Sequence, residues 1–244
     1  MTIRSLLATC LCSLAGASAL AQPIQAVTET TPYSYLRDGK VVGAATELVE
    51  LSLQRAGLTD HTVTIYPWAR AYDLALKEPN VLIYLIARTP AREPQFRWVG
   101  EFMRVEYHLY KLRDRDDIVV RSLADARRYS IGAIRDDVRH QYLQAQGFSK
   151  LVLSAHNIDN FRKLLARQIQ LIPLPEGDAN ALCKETGFDC RQLERVHTLD
   201  ELSVGLYMAF GSATPDATFD RLRDSFAKIK ADGTVKRVME AVKP

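Results

Sequence analysis

Apolar and polar positions alternate along the chain with two different periods. A helical spacing of apolar residues over 45–56 predicts an amphipathic helix, and the β-branched run 62–66 predicts a strand after it. A second helix is predicted over 68–77, and the continuous apolar run 81–86 is typical of a strand covered on both faces. Strands that alternate with amphipathic helices indicate an α/β fold.

The alternation resumes after Asp117 and predicts a second group of elements. A capping-box pattern over 122–125 predicts a short helix. The remaining predictions are strands over 129–134, 170–172 and 206–210 and helices over 136–146, 157–167, 215–230 and 234–242. No flexible or low-complexity linker separates the two groups, so we predict two α/β lobes joined by crossing strands.

The first 21 residues have the pattern of a secretory signal peptide. Arg4 supplies the positive charge, residues 6–20 are almost all apolar or small, and Ala19-Leu20-Ala21 matches the small-x-small cleavage pattern. We therefore predict that residues 1–21 are removed and that the mature protein is soluble and periplasmic. The alternative is a retained N-terminal anchor.

Charge and cysteine content refine this picture. The formal net charge of +3 is too small to indicate nucleic acid or an anionic membrane surface as a partner. Once the signal peptide is removed, Cys183 and Cys190 are the two cysteines left, and in an oxidising compartment they are candidates for a disulfide. The alternative is two thiols that never pair. Neither has histidine or carboxylate neighbours at the spacing of a zinc finger, which argues against a metal role.

Motifs of the common catalytic sites are absent from the sequence. It contains no G-x-S-x-G, H-E-x-x-H, G-x-x-x-x-G-K-[ST] or G-x-G-x-x-G pattern. The five histidines are isolated, with no i, i+4 pair that would place two metal ligands on one helix face. We therefore expect no catalytic residues, no metal and no cofactor.

Aromatic and arginine side chains follow the ends of several predicted strands, which is where open α/β sheets bind ligands. Arginine binds carboxylates with two parallel hydrogen bonds, and aromatic rings form apolar walls or face cations. The ligand-binding candidates of this kind are Tyr33, Tyr35, Trp68, Arg70, Arg88, Arg92 and Arg135. The alternative is that the arginines are solvated surface charges and that Trp68 belongs to the core.

Four segments, taken in order, resemble the family 3 solute-binding proteins of ABC importers, the amino-acid-binding type. The segments are 31–35 (TPYSY) before Gly39, 42–48 (VGAATEL), 88–93 (RTPARE) and 229–234 (IKADGT). The resemblance covers about residues 23–242. It implies a two-lobed type II periplasmic-binding-protein fold in which each lobe has a mixed, mostly parallel sheet flanked by helices. By this resemblance lobe 1 is 22–106 plus 206–244, lobe 2 is 107–205, and two strands form the hinge.

The resemblance also implies roles for individual residues. Arg92 stands at the position of the T-x-x-R arginine that clamps a ligand carboxylate, and Tyr33 or Tyr35 matches an aromatic residue that stacks on the ligand. The acid that usually receives the ligand ammonium is replaced by Pro175, with Glu176 beside it as the candidate for that role. We expect a small, polar ligand that carries a carboxylate. The resemblance does not require this ligand to be a standard α-amino acid.

The function that follows from this resemblance is capture of a small polar molecule for an ABC permease, by a monomer that is not an enzyme. One alternative is a ligand sensor that docks on a separate receptor. A second is a periplasmic dehydratase on the same fold, for which Glu176, Glu47 and His140 are the only candidate acid–base residues.

Overall fold

The computed structural model describes residues 23–242, and the predicted signal peptide lies outside them. The strands are β1 (Ile24–Thr28), β2 (Tyr35–Arg37), β3 (Lys40–Val42), β4 (His61–Ile65), β5 (Val81–Ala87), β6 (Phe96–Val105), β7 (His108–Leu112), β8 (Ile131–Ile134), β9 (Leu151–Ser154), β10 (Ile172–Leu174), β11 (Leu193–Thr198) and β12 (Val204–Gly211). The helices are α1 (Ala44–Arg55), α2 (Trp68–Lys77), α3 (Leu123–Ala126), α4 (Val138–Ala145), α5 (Asn157–Leu165), α6 (Glu176–Thr186), α7 (Asp216–Ala231) and α8 (Thr234–Glu240).

The largest sheet has five strands in the order β4-β1-β5-β12-β6. Its first three strands are parallel, whereas β12 runs antiparallel to both β5 and β6. Every residue of β5 is buried, as its continuous apolar sequence predicts, because helices cover both faces of the sheet. The α/β class is confirmed.

The elements between β6 and β12 form separate sheets. One has the antiparallel order β10-β7-β11, and β8 pairs with β9 in parallel. The strands β6 and β12 lie side by side where the chain passes between the two groups, with Val105 opposite Val204. This grouping supports the division into 22–106 plus 206–244 and 107–205, which we propose as the two lobes and call lobe 1 and lobe 2.

Some elements differ from the sequence prediction for identifiable reasons. The strand predicted over 170–172 is Ile172–Leu174 and includes Pro173. Because β10 is the edge strand of its sheet, the missing N–H of Pro173 does not interrupt a ladder. The long strand β6 was not predicted. Its buried residues recur at every third position instead of alternating, since bulges shift its register against β12.

A β-bulge brings the backbone of β5 close to the space between the lobes. Tyr207 pairs with Ile86 and Met208 with Tyr84, which leaves Leu85 as the extra residue. Leu85 has a φ of 61°, an uncommon conformation for a residue other than glycine.

Cys183 of α6 is joined to Cys190, with 5.5 Å between the Cα atoms. The left-handed Gly187 (φ 67°) ends α6 and turns the chain back, so that the two sulfur atoms meet. Within residues 23–242, no helix combines the length and the apolar character needed to cross a bilayer.

Candidate functional site

A small cavity of about 40 Å³ lies between the two lobes. Residues of both lobes line it, and many of them carry charge or an aromatic ring. The lining consists of Glu29, Thr31, Tyr33, Trp68, Leu85, Ala87, Arg92, Val105, Tyr107, Asp137, Val138, Arg139, Pro175, Asp178 and Leu206.

Strand ends deliver most of these side chains. Glu29 follows β1, Ala87 ends β5, and Asp137 follows β8 at the start of α4. Open sheets collect functional groups at such carboxyl ends because loops there can approach one another without disturbing the sheet. Asp178 comes from the first turn of α6 on the opposite side of the cavity.

A buried hydroxyl cluster fixes the loop that carries Glu29, Thr31 and Tyr33. The Ser34 hydroxyl lies 2.9 Å from the hydroxyls of both Thr46 and Tyr84, and the latter two are 3.1 Å apart. Thr31 and Ser34 also exchange backbone hydrogen bonds of 2.8 and 3.2 Å. Because these polar groups are hydrogen-bonded within the core, the loop holds the side chains of Glu29, Thr31 and Tyr33 in fixed positions at the cavity.

Arg92 is the largest fully buried side chain of the core, with only 1% of its surface exposed. Its Nη1 donates to the Ala87 carbonyl at 3.2 Å and its Nη2 to the Asp136 carbonyl at 3.1 Å. The guanidinium also lies 4.9 Å from the ring centre of Tyr72 and 5.5 Å from that of Trp68. Its Nε is buried and has no hydrogen-bond partner within the described part of the chain, so not all donors of this cation are satisfied.

The Asp136 carbonyl links the two lobes. It accepts hydrogen bonds from Arg92 and from the indole Nε1 of Trp68, the latter at 3.1 Å. Asp136 has a φ of 61°, in the left-handed region, which directs its carbonyl toward lobe 1. Two donors of lobe 1 thus converge on one backbone oxygen of lobe 2 and hold the lobes together at the cavity edge.

Arg139 and Asp137 form a buried ion pair on the lobe 2 side. Nε of Arg139 lies 2.5 Å from Oδ1 of Asp137, and its Nη1 donates at 3.1 Å to both Asn157 Oδ1 and the Pro173 carbonyl. Burial alone would raise the pKa of Asp137, but the charge and hydrogen bonds of Arg139 outweigh it and the pKa is lowered. The pKa of Arg139 is raised, because the charge of Asp137 outweighs the opposite effect of its own burial.

Two further carboxyl groups in the cavity have no such partner. Burial raises the pKa of Glu29 to about 8, with the Asp137 charge adding to the effect and Arg139 opposing it. Burial likewise raises the pKa of Asp178 to about 6, against the attraction of Arg139. Neither carboxyl group takes part in a hydrogen bond or an ion pair with another of residues 23–242. Burial also raises the pKa of the Tyr107 phenol, aided by Asp137.

Comparison with known proteins identifies solved structures that have the same overall architecture. No protein-family model matches the sequence, and no curated protein matches it. Among solved structures, a histidine kinase sensor domain with similarity to periplasmic binding proteins has a TM-score of 0.79 at 18% identity, over 91% of this chain and 96% of that one. An ancestral arginine-binding protein bound to arginine has a TM-score of 0.77 at 14% identity, over 91% and 98%. The arginine-, lysine-, histidine-binding protein ArtJ from Geobacillus stearothermophilus has a TM-score of 0.76 at 14% identity, over 91% and 95%.

The chain has the type II periplasmic-binding-protein fold. The fold predicted from the sequence is thereby confirmed. At 14–18% identity the likeness establishes the fold alone.

Three of the predicted ligand-binding residues line the cavity of this fold, namely Tyr33, Trp68 and Arg92. Tyr35 does not line it but borders an adjoining space at its mouth. Trp68 is 3% exposed, and its indole N–H serves the contact between the lobes. Trp68 therefore belongs both to the core and to the cavity wall. The sequence had left these two positions open as alternatives.

The other predicted residues lie away from the cavity lining. Arg88 forms an ion pair with Glu93, with N–O distances of 2.6 and 2.8 Å. Arg70 is exposed and lies 4.5 Å from the ring centre of Tyr66. Arg135 and Glu176 are also exposed, and Glu176 borders a different surface depression. Their roles in ligand binding remain predictions.

Sequence reasoning missed the acidic side of the cavity. Glu29, Asp137, Arg139 and Asp178 were not among the candidates, although Glu29 directly follows the first strand. An ionisable residue directly after a strand end is a signal that could have found Glu29, whereas Asp137, Arg139 and Asp178 lie three or more positions beyond the ends of their strands. Within residues 23–242, no cluster of histidine, cysteine and acidic residues is arranged to hold a metal ion.

Proposed function

We propose that the chain is an exported solute-binding protein that captures a small, polar, amino-acid-like molecule between its lobes and delivers it to an ABC permease. The observation that carries this proposal is the cavity between the lobes, which is lined from both sides by buried ionisable groups of opposite charge. Ligand pockets commonly lie at domain interfaces and contain a few convergent polar groups.

The position of the cavity supports a mechanism of closure around the ligand. A ligand there contacts lobe 1 and lobe 2 simultaneously, so it has more contacts in the closed form than in the open form. That difference in affinity shifts the population toward closure, which a membrane partner can recognise. The Asp136 carbonyl and its two donors supply closing contacts that belong to the protein itself.

The charged groups suggest how such a ligand is oriented. Glu29 and Asp178 line the space in which a cationic group of the ligand would be bound, and the buried Arg92 guanidinium in the same wall attracts a carboxylate. Tyr33 and Trp68 form aromatic walls around the same space. The similar structures include an arginine-binding protein, which is compatible with a ligand that carries charges of both signs.

Binding and its specificity are tested by titrating the purified protein with amino acids, amines, organic acids and small peptides while following thermal unfolding. A ligand at a hundred times its Kd adds about 2.7 kcal/mol of stability, which raises the Tm of a domain of this size by roughly 5–10 °C. A shift confined to one chemical class supports the proposal, and the absence of any shift contradicts it. Recovery of unchanged ligand after long incubation separates binding from catalysis.

A sensing role is the second candidate, and similarity to a histidine kinase sensor domain favours it specifically. In that case the closed protein docks on a receptor in the membrane and not on a permease. Deletion of the gene distinguishes the two roles. Loss of ligand uptake supports transport, whereas intact uptake with a lost transcriptional response supports sensing.

A further inference from the structure

A turn of lobe 2, residues 134–136, inserts into the core of lobe 1. Ile134 ends β8 and is 1% exposed. Its side chain packs in an apolar cluster whose other buried members all belong to lobe 1, including Trp68, Tyr72 and Phe96. A side chain that is buried by the other lobe is removed from water only while the lobes are together, so its burial stabilises the closed arrangement.

The backbone of the same turn binds lobe 1 through hydrogen bonds. The Asp136 carbonyl accepts from Nε1 of Trp68 and from Nη2 of Arg92, each at 3.1 Å. The second donor is a guanidinium, and hydrogen bonds from charged groups are stronger than those between neutral groups. The turn therefore combines an apolar contact and two hydrogen bonds between the lobes at one place.

The turn is held in shape by lobe 2 alone. The N–H of Arg135 donates to the carbonyl of Ser154 in β9 at 3.3 Å. The N–H of Asp136 donates to Nδ1 of His140 in α4 at 3.1 Å. These bonds fix the turn on the elements of its own lobe, independently of lobe 1.

The surface of lobe 1 that receives the turn is also held by contacts within its own lobe. Nη1 of Arg92 donates to the Ala87 carbonyl at 3.2 Å, and the guanidinium lies 4.9 Å from the ring centre of Tyr72. The rings of Trp68 and Tyr72 stack with their centres 5.9 Å apart, and the Tyr72 hydroxyl donates to Gln95 at 2.7 Å. Because both surfaces are ordered before they meet, closure fixes few additional side chains and costs little conformational entropy.

We propose that residues 134–136 are a latch that keeps the two lobes closed before any ligand is bound. The contacts that hold the latch are made by side chains and backbone of the chain itself, and none of them requires a ligand atom. The equilibrium between open and closed forms then favours the closed form from the start, and the latch must open to admit a ligand. This inference goes beyond ligand capture, since it concerns the protein alone.

The first test is small-angle X-ray scattering of the purified protein after unfolding in urea and refolding, which removes any bound small molecule. The wild type should scatter as the closed structure does. A wild type that scatters as a more open form would overturn the latch. If that open form still binds a ligand in the thermal titration, the proposed function stands without the latch.

The second test measures how often the latch opens, from the exchange of the Trp68 indole N–H with deuterated water, followed by NMR. Ile134→Ala removes most of the side chain that lobe 1 buries, so the exchange should become at least about thirtyfold faster. The chain has two tryptophans, and the indole N–H of Trp98, which is buried in lobe 1 away from the turn, is the internal reference. Unchanged exchange at Trp68 would overturn the inference.

Ile172→Ala is the matched control. Ile172 is also 1% exposed, but its apolar cluster consists of lobe 2 residues only. This variant loses the same atoms from a core and should leave the exchange at Trp68 close to that of the wild type, whereas an equal acceleration in both variants would point to general destabilisation and contradict the latch. If Ile134→Ala does not fold, Ile134→Val makes a smaller cavity and should accelerate the exchange by about fivefold.

Discussion

Replacing Glu29 with glutamine should stabilise the protein at alkaline pH and have little effect near the ordinary pKa of a glutamate. Glutamine has nearly the shape of a protonated glutamate but cannot ionise. The Glu29 carboxyl group has a pKa of about 8 in the folded protein, compared with 4.5 for an ordinary glutamate. The variant therefore isolates the free energy of burying this one charge.

The sign of the effect follows from the protons bound in each state. Between pH 4.5 and about 8 the folded protein keeps the Glu29 proton while the unfolded chain has released it, so the stability of the wild type falls as pH rises. Each unit of pKa difference corresponds to about 1.4 kcal/mol, and the shift exceeds three units, so the loss reaches roughly 4 kcal/mol above pH 8. For a chain of this length that is a difference in Tm of roughly 10 °C.

The assay is urea unfolding of the wild type and of Glu29→Gln at several values of pH from 4.5 to 9. The other charged groups that face Glu29 (Asp137, Arg139 and Asp178) are present in both proteins, so their own titrations largely cancel in the difference. Glu47→Gln, at an exposed position of α1, is the matched control and should show only a small difference in stability from the wild type. A stability difference for Glu29→Gln that stays constant over this range would refute the reasoning.

Three further predictions concern the lobe contact and the disulfide. Trp68→Phe removes the indole N–H that donates to the Asp136 carbonyl. The loss of this hydrogen bond should reduce the free energy of closure by about 1 kcal/mol, so ligand affinity should fall about fivefold. Unchanged affinity would contradict a role of Trp68 in closure. Because Asp136 has a φ of 61°, Asp136→Gly should be more stable to urea than Asp136→Ala by about 1 kcal/mol, and equal stabilities would argue against backbone strain there. Cys183→Ser opens a disulfide between residues seven apart and should lower the free energy of unfolding by roughly 2 kcal/mol. Dithiothreitol should destabilise the wild type by a similar amount without affecting that variant, and an effect on both would point to another target.

Patterns within short stretches of sequence were sufficient for the fold class. The apolar run 81–86 predicted β5, and the helical spacing over 45–56 predicted α1, because burial on both faces or along one face leaves a local periodic signal. The capping-box pattern over 122–125 predicted the start of α3, where Ser122 and Asp125 exchange both capping hydrogen bonds. Each of these signals depends on residues a few positions apart.

The sequence did not predict β6, since its buried positions recur every third residue. That spacing arises from bulges against β12, a strand about a hundred residues later in the chain, and so cannot be read from β6 alone. The position of Pro173 within a strand depends in the same way on β10 being at the edge of its sheet.

The sequence by itself determined the alternation of strands and helices, the two-lobed resemblance and three of the residues that line the cavity. Only the tertiary structure decided that Glu29, Asp137 and Asp178 share one small space, and that Arg92 binds the carbonyl of Asp136 across the lobes. The physical reason is that local periodicity reports which side of an element is buried, whereas the charge state and partner of a buried group depend on distant chain segments that remove it from water.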